Sequence, residues 1–576
     1  MTAWDWKRFG IAAVVTLIVS GCQPNVSTPI PNRVESSTPI PTKSPVKSEI
    51  FFRDRTEESQ VHFAYSNDEL HSSFAILESL GGGAAIFDYD GDGRLDLFLV
   101  GGGQFRDPRT SAVDSALFRN SATWNFSDCA GLAGVKKSRH YGHGAAVADY
   151  NEDGFEDLLL TAYGGLALFQ NQGDGTFHEV NESGLDDRLW STSAAWGDFT
   201  GDGVLDLYVA HYVNWSFANH PVCPGPAGHE REVCPPRQFD SLPHSIYFGN
   251  GDGTFRDACQ EAGIQPSGKG LGVVAADLDL DGDLDLYVAN DTVPNLLFRN
   301  DGRGHFSDDS SMSGTAFSDQ GTADGSMGVD VGDYNADGLP DIWVTNYERE
   351  NNALYRNLEN CLFRHVSQST GIAAIGAMYV GWGTRFVDAD LDGDEDLVVA
   401  NGHVIRFPLN SPRRQRPLVL ENINGTRFEN VADQAGEYLA SPHCGRGLAT
   451  GDLDGDGDED VVISNVNEPV AVLSNETSSG NNWLAVRIIG RRSSRSSIGA
   501  IAVAKSGSKL LTRQIRGGSS YASTSDKKLH FGCGTATQID ELTVTWISGS
   551  RTVLKNVACN KVVTIIEPND MNATPR

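Results

Sequence analysis

One nine-residue frame recurs seven times along this chain and leaves it few ways to fold. The copies are "DYDGDGRLD" from Asp88, "DYNEDGFED" from Asp149, "DFTGDGVLD" from Asp198, "DLDLDGDLD" from Asp277, "DYNADGLPD" from Asp333, "DADLDGDED" from Asp388 and "DLDGDGDED" from Asp452. Positions 1, 5 and 9 are always Asp, and position 6 is always Gly. Position 3 is Asp, Asn or Thr, so it always carries a side-chain oxygen. Carboxylates this dense repel one another unless something neutralises them. The glycine permits the positive-φ turn that wraps oxygens round a point. A hard cation taking six to eight oxygens at ~2.3–2.6 Å answers both facts, and calcium fits best.

The expected ligands are Asp88, Asp90, Asp92 and Asp96 in the first loop and Asp149, Asn151, Asp153 and Asp157 in the second. The third supplies Asp198, Thr200, Asp202 and Asp206, and the fourth Asp277, Asp279, Asp281 and Asp285. The fifth supplies Asp333, Asn335, Asp337 and Asp341, the sixth Asp388, Asp390, Asp392 and Asp396, and the seventh Asp452, Asp454, Asp456 and Asp460. This gives up to seven calcium ions, with the Thr200 loop the weakest. One copy alone reads equally well as a solvated acidic turn; seven in one frame do not. An EF-hand is excluded, because position 12 is apolar throughout (Leu99, Leu160, Val209, Val288, Val344, Val399, Ile463) where that motif needs Glu. Each loop leads instead into an apolar β-rich run such as "LDLYVAN".

The formal net charge is −31, from 45 Lys and Arg against 76 Asp and Glu. The seven loops hold 32 acids, enough to account for the whole deficit. Seven dications would bring −31 to −17. This acidity argues against nucleic acid and against an anionic lipid surface as partners.

Residues 1–21 read as a signal peptide: Lys7 and Arg8, an apolar run from Phe9, then "VSGC" ending at Cys22. Small residues before a cysteine resemble the lipobox of bacterial lipoproteins, which makes Cys22 the expected lipidation site. Gln23 is not the Asp that retains such proteins at the inner membrane. Residues 22–50, in which "STPIP" occurs twice, form a Pro/Ser/Thr-rich tether. The expected location is therefore the cell envelope, at the outer membrane or cell surface, with membrane contact only through the lipid. Disulfides are permitted there. Cys223 and Cys234, close together in "CPGPAGHEREVC", are the expected pair.

Around each loop the same unit repeats: a glycine-rich strand, the Asp loop, an apolar strand, a third strand such as "NLLFRN", a turn and a fourth strand. Four strands per unit describe a propeller blade. "NQGDGTF", "NGDGTF" and the repeated frame resemble FG-GAP/VCBS repeats of the integrin-type β-propeller. "NDTVPNLLFRN", "GWGTRFVDADLDG" and "GRGLATGDLDGDG" resemble the cartilage acidic protein family and its bacterial relatives. "NNWLAVRIIG", "SIGAIAV", "LHFGCG" and "VTWISG" resemble the ASPIC/UnbV domain that ends such chains; Cys533 and Ile547 depart from its usual pattern. The resemblance covers residues 51–568. It implies an all-β protein: a seven-bladed calcium propeller over 51–477, a small β-rich ASPIC/UnbV domain over 478–568 and a tail over 569–576. The seventh unit lacks a fourth strand, and "IFFRDRTEES" from Ile50 is expected to supply it, closing the ring.

No GxSxG, HExxH or P-loop is present, and every dense carboxylate cluster lies in a loop frame. The expectation is therefore a non-enzymatic module that binds a protein or a glycan. The alternative is a propeller hydrolase, lyase or oxidoreductase with its site on an axial face. The Asp loops join strands one and two, so the start of strand one and the end of strand two share the opposite face. That places His143, His211, Tyr212, Asn290, Asp291, Asn346, Tyr347, Trp382, Asn401, His403 and Arg446 there as an expected ligand face. Asn290, Asn346 and Asn401 also suit the capping of strand ends.

Overall fold

The computed structural model describes residues 48–265 and 267–569. The expected signal peptide, Cys22 and nearly all of the tether lie outside these residues. Ile50, assigned to the tether, is 1% exposed and packs with Phe52 in the core, so the body begins at or before it.

Seven sheets of four antiparallel strands match the seven loops. The first holds Ala84–Phe87, Asp96–Leu99, Ala116–Ala122 and Asn125–Asp128. In each, the Asp loop joins strand one to strand two, and both strands are almost wholly buried, the second as an apolar run. Gly445–Gly451, Asp460–Asn465 and Ala471–Asn475 form the last sheet, whose fourth strand is Phe52–Asp54 from the start of the body. Phe52 pairs with Asn475 and Asp54 with Leu473.

The first strands of successive sheets abut, and Gly445–Gly451 abuts Ala84–Phe87, so all seven succeed one another round a common axis. An apolar cluster fills each gap between neighbours; Leu97 and Leu99 of the first sheet pack on Val462 and Val472 of the last. The arrangement is all-β and propeller-like.

A second fastening is polar. The third strand of six sheets carries a buried Asn: Asn120, Asn171, Asn300, Asn357, Asn422 and Asn475. The Asn300 side chain donates to Leu284 O in its own loop (3.1 Å) and to Phe199 O in the preceding loop (2.9 Å). Asn357 repeats this on Pro340 and Leu278, and Asn120 on Leu95 and Leu453. Each of these three ties one sheet's loop to the loop before it. The third sheet has Gly249 at this place.

The C-terminal region adds a three-stranded sheet, in which Asn482–Ile489 lies between Leu529–Gly534 and Lys561–Ile566. A four-stranded sheet runs in the order Lys509–Gln514, Ile501–Ser506, Gln538–Thr545, Arg551–Ala558. It does not stand apart: the described residues from Ser48 onward form one compact unit.

Candidate functional site

The segment Gly517–Asp526 of the C-terminal region runs along the axis and hydrogen-bonds the first strand of every sheet. Thr524 pairs with Ile86 and Ala84, Ala522 accepts from Ala145 N and donates to Ser193 Oγ, and Gly517 exchanges bonds with Ala275. Ser520 pairs with Val329 and accepts from Thr384 N, and Asp526 N donates to Thr450 O. Inner strands of a ring expose unpaired N–H and C=O groups along the axis, and a buried unpaired group costs roughly 1–3 kcal/mol. The chain fills them itself, with residues small enough to fit. A Cβ at Gly517 would stand 1.7 Å from Trp196 O. The axial channel is therefore closed by the chain's own backbone.

The body of the C-terminal region covers the Asp-loop end. Gly532 N donates to Asp388 Oδ2 at 3.0 Å, and Asn481 donates to Asp390 O at 2.9 Å. Lys509 lies 2.8 Å from Asp394, Arg513 3.8 Å from Asp388 and Arg495 3.6 Å from Asp149. Basic side chains from one region thus meet the acids of the other.

The loops have the form expected of cation sites. In six loops the position 1 carboxylate accepts from the glycine at position 6, as Asp277 Oδ2 does from Gly282 N (3.0 Å) and Asp198 Oδ2 from Gly203 N (2.9 Å); in the seventh, Asp452 accepts from Gly455 N at position 4 (2.7 Å). The position 9 carboxylate accepts from the third strand in every sheet and, in all but the Asp333 loop, from position 2, as Asp285 does from Asn300 N and Leu278 N. In four loops three carboxylate oxygens lie within 4.8 Å of one another: Asp88, Asp90 and Asp96; Asp277, Asp279 and Asp281; Asp388, Asp390 and Asp392; Asp452, Asp454 and Asp460. That is the spread of oxygens round one ion at ~2.3–2.6 Å. Asp88 Oδ1, Asp279 Oδ1, Asp341 Oδ2 and Thr200 Oγ1 are buried with no hydrogen-bond partner. Burial pushes Asp96, Asp157, Asp206 and Asp388 up to about 8. The residues present fit calcium. The loops from Asp149, Asp198 and Asp333 carry Asn151, Thr200 and Asn335 at position 3. The two Asn amides instead donate to Asp153 and Asp337 at 2.9 Å.

The opposite end differs from the sequence reading. His143, His211, Tyr212, Asn290, Asn346, Trp382, Asn401, His403 and Arg446 do gather there, but each is at most 2% exposed. They form a layer beneath the surface, because three long segments absent from the repeat fold over the strand ends: residues 66–82, 212–243 and 403–416. The asparagines cap strand ends, donating to Pro294 O (Asn290), Asn351 O (Asn346) and Arg416 O (Asn401). Arg446 spends its guanidinium on Ser79, Gly402, His403 and Gly445 carbonyls and lies 4.3 Å from the centre of the Trp382 ring. His211 lies 2.7 Å from Asp187. His143, 3.4 Å from Gly81 O, is pushed down to about 3 by burial.

Above this layer lies a cavity of about 330 Å³. Tyr212, Asp291, Tyr347 and Trp382 from the expected face line it, with Ile76, Leu80, Val233, Leu271, Met327 and Ile405. The Cys223–Cys234 disulfide is formed, Cα–Cα 5.3 Å, and Cys234 is part of the wall. No repeat logic announces residues 76–80 or 404–405; the length of the inserts was the one available signal.

A model of the FG-GAP-like repeat matches residues 88–160, 149–209, 243–288, 277–344 and 333–399, and one of "ASPIC and UnbV" matches 490–572. The chain is thus an all-β protein of FG-GAP-like repeats with a C-terminal ASPIC and UnbV domain. It is similar to cartilage acidic protein 1. The Mus musculus protein is 25% identical over 522 residues, 85% of this chain and 74% of the relative; the Xenopus tropicalis protein is 25% identical over 525 residues, with the same coverage. Among solved structures, the BP39L lectin from Burkholderia pseudomallei superposes with a TM-score of 0.43 at 10% identity, over 68% of this chain and 96% of the lectin. Among the described residues no helix is long and apolar enough to cross a membrane.

Proposed function

We propose that this protein is a seven-bladed β-propeller loaded with calcium in its Asp loops, exported and tethered through Cys22, that binds a protein or glycan partner at the end opposite those loops. One observation carries the choice of end. The C-terminal domain lies over the loop end, where a cavity of about 560 Å³ is lined by the loop acids Asp88 and Asp149 and the basic Arg487, Arg495 and Lys527, and the axis is filled by Gly517–Asp526, while the opposite end is open at a walled, largely apolar cavity. Calcium neutralises the buried carboxylates and stiffens the ring, and the ring holds the inserts that wall the cavity.

The test is two sets of substitutions once a partner is captured from envelope proteins or a glycan array. Tyr347→Ala and Ile405→Ala should weaken binding and leave the melting temperature unchanged. Asp257→Ala and Asp308→Ala, on exposed fourth-strand positions, should leave binding unchanged. The reading fails if the second set abolishes binding and the first is silent.

A further inference from the structure

Most polar atoms at the floor of the cavity are already spent inside the protein; Thr292 Oγ1, also in the lining, is the exception, buried with no partner. Trp382 Nε1 donates to Gly402 O at 2.9 Å, Tyr212 Oη to Asp291 Oδ2 at 2.5 Å and Ser79 Oγ to Ile76 O at 2.6 Å. The rest of the floor is hydrocarbon from Leu80, Leu271 and Met327. A sugar lowered onto this floor would leave the hydroxyls that face it unpaired, at roughly 1–3 kcal/mol for each. An apolar group has no such cost, and gains about 25 cal/mol for each Å² withdrawn from water.

One wall has the opposite character. Asp291 and Glu350 line it, and Asp324 lies within reach of the charge of Glu350; burial and that charge push Asp291 up to about 6 and Asp324 up to about 7. The cations that face them are Lys269, whose Nζ is held on Pro236 O at 2.8 Å, and Arg237, which is exposed. Arg349 at the mouth is engaged with Asn410, and Glu348 with Asn410 and Ser411. Among the residues that line the cavity, three carboxylates (Asp291, Glu348 and Glu350) stand against two guanidinium groups (Arg237 and Arg349), so negatively charged acceptors are in excess. Glu350 accepts from Gly325 N (2.6 Å) and keeps further lone pairs, so the wall offers acceptors rather than donors. Placed beside desolvated carboxylates, a donor that carries its own charge makes the stronger hydrogen bond.

Resting on the proposed binding end, we infer that the cavity takes an apolar side chain carried next to an ammonium or guanidinium group, as a protein partner presents at an apolar N-terminal residue or at an apolar residue flanked by lysine or arginine. The apolar group fills the floor over Trp382, and the cation pairs with Asp291 and Glu350. A neutral sugar finds acceptors on the wall but no partners on the floor and brings no charge to the carboxylates, so it is the weaker occupant.

The experiment uses the full chain in saturating calcium and four probes: leucinamide (cationic), N-acetylleucinamide (neutral), N-acetylleucine (anionic) and N-acetylglucosamine. Binding is read by calorimetry and by tryptophan fluorescence. Leucinamide should saturate with a dissociation constant on the order of 1 mM, as a ligand of about nine non-hydrogen atoms allows. N-acetylleucine should bind at least about tenfold more weakly, the effect of one unfavourable charge contact. Ile405→Trp, which fills the mouth, should abolish leucinamide binding at an unchanged melting temperature. Asp291→Asn, which keeps an acceptor for Tyr212, should shrink the preference for leucinamide over N-acetylleucinamide. The inference is overturned if leucinamide does not saturate, if N-acetylleucine or the sugar binds as well, or if Ile405→Trp is silent. A sugar lost on Ile405→Trp would overturn this inference and leave the binding end standing. A captured partner indifferent to Ile405→Trp and Tyr347→Ala would overturn both.

Discussion

The rings of Trp382 and Tyr521 meet near edge-to-face, with centroids 4.7 Å apart and an interplanar angle of 69°. Trp382 opens the first strand of the sixth sheet and lines the cavity; Tyr521 sits in the axial segment of the C-terminal domain. Both are at most 1% exposed. The cavity floor therefore rests on a residue delivered from the far end of the chain.

Tyr521→Ala should destabilise the protein by about 3–5 kcal/mol, the usual cost of truncating a buried aromatic. Denaturant unfolding measures it. A loss below about 1 kcal/mol would mean that the axial segment is only loosely seated.

His143 and His244 are pushed down to about 3 by burial, so the fold requires both neutral. A folded value below the ordinary 6.5 contributes stability that is present above pH 6.5 and is lost as pH falls toward about 3. At pH 5 each histidine should have cost about 2 kcal/mol. In saturating calcium the loop carboxylates titrate alike in parent and variant. His143→Gln should therefore lose less of its stability than the parent between pH 7 and pH 5. Equal losses would contradict the assignment.

Asn300→Ala should cost about 2–4 kcal/mol, because the Phe199 and Leu284 carbonyls both lose their donor. Arg299→Ala, one residue earlier on an exposed face, should stay within about 0.5 kcal/mol. Similar values for the two would remove the Asn tie from the account of how the sheets are held together.

The blade unit was legible because the Asp frame fixes one turn per repeat and the strands beside it are apolar runs of fixed place. Even the displaced fourth strand at Phe52–Asp54 could be read from its likeness to "TFRDACQEAG". The axial segment could not. "RGGSSYASTSDKK" has the composition of a linker, and only the ring of unpaired strand edges turns its small residues into a core. The ligand face was half legible for a similar reason. Alternation and strand ends place His403 and Arg446 at the correct end of the ring, but not beneath inserts that obey no repeat. His403→Ala, at 1% exposure, should therefore disturb folding as well as binding.

Cys223→Ser with Cys234→Ser should loosen the insert rather than the ring. Closing so short a loop is worth roughly 3 kcal/mol in the chain-entropy model. Because Val233 and Cys234 wall the cavity, leucinamide affinity should fall severalfold while the main unfolding transition hardly moves. An unchanged affinity would detach the disulfide from the site.

The central claim is that metal resolves the repulsion among 32 loop acids. A site at a hundredfold excess over its dissociation constant adds about 2.7 kcal/mol. The direct measurement is bound calcium per chain by elemental analysis, together with the melting temperature in calcium and in excess chelator. Several calcium ions per chain, approaching seven, are expected, with the Thr200 loop the first to empty. The melting temperature should be lower by more than about 10 °C in chelator. No bound calcium, with the same melting temperature in both conditions, would contradict the claim.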